Sequence, residues 1–120
     1  MQLSRDLTNR LFQLAQSPAP TALSGFVSAE GGIANTCFTL SADGDARQLL
    51  QEIHDQGLTP YATFAIAPDL HQPPTRPEAL SLPSLPHLLI GSRIKGVLEI
   101  DAFIETPEGW SPIELRLPKV

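Results

Sequence analysis

Three side chains able to grip a cation or move a proton, Asp69, His71 and Glu78, stand close together in the stretch YATFAIAPDLHQPPTRPE, residues 61–78. Asp69 and His71 are two positions apart, so a proline-braced loop could aim both at one ion. A hydrolytic zinc, however, takes three protein ligands and keeps an open position for water, and nothing nearby offers a second nitrogen or a partner to orient one. The three therefore read as polar loop residues, with a weak metal site and a partner contact as the functional alternatives. His87 follows Pro86 at the start of an apolar run and reads as an ordinary strand histidine rather than a base. His54 lies beside the apolar stripe of a helix, on its solvated flank. Cys37 is the one cysteine, which rules out an internal disulfide, a zinc ribbon and a C-x-x-C redox pair; a small, half-buried strand residue is what remains. Ser24, Ser81, Ser84 and Ser92 would each need a histidine and an acid nearby to act as nucleophiles, and no G-x-S-x-G turn frames any of them. Gly31-Gly32 opens no helix, so a phosphate-binding loop is excluded as well.

The elements that position these residues are legible from periodicity and punctuation. Leu3, Leu7, Leu11 and Leu14 recur at helical intervals behind a Ser4 N-cap with Asp6 in the first turn, predicting a helix over about residues 4–16. Ser17-Pro18-Ala19-Pro20 ends it. A hairpin follows, with strands over Leu23–Ser28 and Ile33–Leu40 and a turn over Ala29-Glu30-Gly31-Gly32; Ala34, Thr36, Phe38 and Leu40 are expected on one side of the second strand. Asp43 or Asp45 caps a second helix whose Ala46, Leu49, Leu50 and Ile53 form its apolar stripe, and Gly57 stands at its C′ position. Ala62–Ile66, flanked by aromatic Tyr61, has the composition of a buried strand, which Pro68 stops. Six prolines between 68 and 86 allow neither a helix nor a central strand, so an ordered surface loop is expected there, and loops of that length are commonly functional. Ala79–Leu82 is left as one short helical turn. Leu88-Leu89-Ile90 reads as a buried strand closed by Gly91. Val97–Glu105 and Ile113–Leu117 read as a hairpin joined through Thr106-Pro107-Glu108-Gly109. In it Leu98, Ile100, Ala102 and Ile104 face one way and Glu99, Asp101, Phe103 and Glu105 the other, a solvated face or an acidic docking surface. The order helix, hairpin, helix, strand, loop, strand, hairpin predicts an α/β fold, a mixed β-sheet flanked by helices.

Composition narrows the function classes. One domain spanning residues 1–120 is expected from the length. With 18% charged residues and 42% hydrophobic ones the chain should fold. A net charge of −5 without any run of Lys or Arg gives neither nucleic acid nor an anionic membrane an electrostatic hold. The N-terminal stretch lacks the continuous apolar segment of a signal peptide, and no apolar run approaches the roughly 18 residues of a spanning helix. A cytoplasmic protein is the expectation.

The loop and its strand resemble the JAMM (Jab/MPN) metalloprotease pattern, an upstream Glu, then H-x-H-P, then S-x-x-D. Pro68 matches the proline, Glu78 stands where the aspartate would, and Thr75 stands three before it, where the serine would. The two histidine positions are Ala65 and Ala67. Upstream, Pro20 to Gly25 is similar to P-x-E-x-C-G, with Ala22 in place of the general-base glutamate. The resemblance implies a cytidine-deaminase-like sandwich. Because alanine has no lone pair and there is no base at position 22 to take a proton from metal-bound water, it also implies a degenerate domain with no catalytic residues, no metal and no cofactor. The function expected on that basis is a pseudoenzyme serving as a protein-interaction or scaffold module. It would bind a ubiquitin-like or sulfur-carrier tail by strand addition, or pair with another MPN domain as a homo- or hetero-dimer, with Phe103 and Trp110 as candidate anchors. The alternative is a zinc-dependent isopeptidase using ligands the motif does not reveal.

Overall fold

A computed structural model of the chain describes residues 1–16, 24–40, 45–66, 85–94 and 97–116, the side chains of 92–94 excepted. Its elements run β1 (Gln2–Leu3), α1 (Arg5–Ala15), β2 (Ser24–Glu30), β3 (Ile33–Leu40), α2 (Ala46–Asp55), β4 (Pro60–Ile66), β5 (His87–Ile94), β6 (Val97–Thr106) and β7 (Gly109–Ile113). The strands form one mixed sheet in the order β1-β3-β2-β4-β5-β6-β7, parallel at β1/β3 and β4/β5 and antiparallel elsewhere.

Both helices begin and end where their caps dictate. The Ser4 hydroxyl accepts the Leu7 N–H at 3.1 Å, and the Asp45 carboxylate accepts the Arg47 N–H at 2.9 Å. At the far end of α2, Gly57 has φ +75°. There the Gly57 N–H reaches His54 O and the Leu58 N–H reaches Ile53 O, the paired bonds of a Schellman motif. His54 is exposed on this helix, as its flank position implies.

The two helices lie on opposite sides of the sheet. Leu7 and Leu11 of α1 are buried with Leu3, Val27, Ala34, Ala62, Phe64, Leu88, Ile90, Ile100 and Ala102. Leu49 and Ile53 of α2 bury Phe26 on the other side, with Phe38, Leu40 and Leu58 packed around them. One core thus draws residues from six strands around a single helix. That arrangement requires a curved sheet, and its two margins do meet: Gln2 bridges Arg116, beyond β7. The Leu3 N–H donates to Arg116 O, the Arg116 N–H to Met1 O at 2.8 Å, and the Met1 ammonium to Glu114 O. Curvature is therefore fixed by backbone bonds between distant parts of the chain, and α1 occupies the inner side.

Several boundaries differ from the sequence reading, each for a physical reason. Leu3 belongs to β1 rather than to the helix, because its N–H is taken by Arg116. Ala34 and Phe38 lie on opposite sides of the sheet rather than together. The pairing slips between Ser28 and Ala29, since Ser28 faces Thr36 while Ala29 faces Ala34, and the extra residue, Asn35, reverses the alternation. Gly91 does not close β5, which continues through a second irregularity to Ile94 opposite Val97. The last strand begins at Gly109 directly after the turn and ends at Ile113, so Leu115 joins the inner core from beyond it; Leu117 and the turn over 79–82 lie outside the described residues. Gly25 is held to glycine by space. A Cβ there would stand 1.9 Å from Phe38 O and 2.9 Å from Phe64 Cε1.

Candidate functional site

The outer side of β4 carries the one described motif position. Phe26 pairs with Thr63 and packs under α2, so alternation puts Thr63 and Ala65 on that outer side. Ala65 is half-buried, directly opposite Ser24 of β2 and Leu89 of β5. Ser24 follows position 22 by two residues, and Ala65 precedes position 67 by two. The Ser24–Ala65 pair therefore brings the flanks of both motif segments side by side. Ala22, Ala67, Thr75 and Glu78 themselves, with Asp69, His71, Ser81 and Ser84, lie outside the described residues, as does the side chain of Ser92.

Among the described residues, nothing supplies the ligand set of a hydrolytic zinc ion. The Ala65 methyl has no donor atom, and no group of three His, Cys, Asp or Glu side chains able to hold a metal occurs among the described residues.

One strand further, on the same side, lies a polar pair that sequence reasoning undervalued. His87 is fully buried, as is Thr63 opposite it, and the Thr63 hydroxyl sits 2.7 Å from His87 Nδ1. The Thr63 N–H donates to Pro86 O at 2.9 Å, and its hydroxyl also approaches that carbonyl at 3.4 Å. His87 is thereby fixed in a central strand, its ring centroid 6.0 Å from that of Trp110 and tilted by 38°. A buried imidazole braced by a hydroxyl is held in one orientation within the sheet. Its place could not be read from Pro86-His87, because burial here depends on β6 and β7 arriving from later in the chain. Phe103, opposite His87 on β6, and Trp110 on β7 are both half-buried, so the two candidate anchors belong to one patch of the outer face.

Cys37 is half-buried on β3 and packs against the inner core. Burial raises its thiol above the ordinary 9.0, and the charge and hydrogen bond of Arg10 pull it back only in part. At neutral pH it is a protonated, poorly nucleophilic thiol.

No protein-family profile and no curated protein sequence matches the chain. Solved structures do. A Desulfitobacterium hafniense protein solved in solution superimposes with a TM-score of 0.69 at 16% identity, covering 99% of this chain and 93% of that one. A JAB1/MPN domain protein from Archaeoglobus fulgidus gives a TM-score of 0.62 at 16% identity, covering 99% and 100%. The fold is that of the JAMM/MPN domains. A third structure, described as a JAMM metalloprotease-like zinc site in the proteasome and signalosome, gives 0.60 at 16% identity over 99% of this chain and 98% of that one. Among the described residues, no helix is long and apolar enough to cross a membrane.

Proposed function

We infer that the chain is a non-catalytic JAMM/MPN-like domain that works as a protein-interaction or scaffold module. The observation that carries this reading is Ala65, a side chain without a lone pair on the outer side of β4, in a chain whose fold matches JAMM/MPN structures over nearly its whole length. The sequence supplies alanine again at 22 and 67, where the resemblance expects a glutamate and a histidine. A fold kept with its chemistry removed is suited to holding another protein, either the extended tail of a ubiquitin-like or sulfur-carrier protein or a second MPN domain. The half-buried Phe103 and Trp110 supply apolar contact beside the former site, and such aromatic anchors dominate interface energetics.

Metal analysis tests the reading. Protein purified without chelator is expected to carry far less than one zinc per chain, and the variant Ala22→Glu, Ala65→His, Ala67→His, Glu78→Asp is expected to bind one zinc tightly. Stoichiometric zinc in the natural chain would reject the pseudoenzyme reading. Failure of the folded four-site variant to take up zinc would reject the alignment beneath it.

A further inference from the structure

We draw no further inference here: the strongest candidate, the outer-face patch around Phe103 of β6 and Trp110 of β7, is the surface already assigned to partner contact, and nothing in the structure shows what covers it.

Discussion

Gly25→Ala should be among the most damaging small substitutions in the chain, and its cost follows from the geometry. The new Cβ would lie 1.9 Å from Phe38 O, 2.9 Å from the Phe38 carbonyl carbon and 2.9 Å from Phe64 Cε1. Side-chain atoms can turn away, but Phe38 O is backbone within the β2–β3 ladder, so relief requires β2 and β3 to move apart by more than an ångström. Overpacking a core costs about 1–3 kcal/mol, and a clash with backbone belongs at the top of that range. Weakening a neighbouring ladder bond adds about 1 kcal/mol. A total of about 3–4 kcal/mol is a large part of the stability of a domain this size and corresponds to a fall in Tm of roughly 10–15 °C. Urea unfolding followed by far-ultraviolet circular dichroism measures it, with the m-value expected to hold. Gly57→Ala is the comparison, since a Cβ there meets nothing within 4 Å and only the φ of +75° resists it, a cost of about 1 kcal/mol. Adding Phe64→Leu to Gly25→Ala should not restore stability, because the carbonyl contact remains. A Gly25→Ala protein within about 1 kcal/mol of the natural chain, or one rescued by Phe64→Leu, would refute the reasoning.

Ser28 is fully buried, and among the described residues its hydroxyl has no hydrogen-bond partner, so Ser28→Ala should be neutral or stabilising by up to about 1 kcal/mol in the same urea assay. The seam between β1 and the segment after β7 is held by backbone, so Arg116→Ala should change little. Arg116→Pro removes the donor to Met1 O and should cost about 1–3 kcal/mol in thermal unfolding. Because burial raises the Cys37 thiol above 9.0 in the folded chain, the unfolded state loses its proton first. Stability should then be flat with respect to this group below pH 9 and fall as pH rises beyond it, a decline that Cys37→Ala removes. Removing Arg10, whose charge favours the thiolate, should slow alkylation of Cys37 at a fixed alkaline pH.

Local signals were read where local physics decides. The caps at Ser4 and Asp45, the stripe Leu49-Leu50-Ile53 closed by Gly57, and the alternation of Ile100 and Ala102 are properties of short segments. Each was legible because a hydrogen bond within three residues or a repeat of 3.6 or 2 does not depend on distant partners. The slip at Asn35, the union of Gln2 with Arg116 and the burial of His87 under strands from later in the chain are of another kind. They arise when the register of one strand is set against another and a curved sheet is brought round until its margins bond. Those choices are made by contacts between residues far apart in sequence, and periodicity carries no record of them.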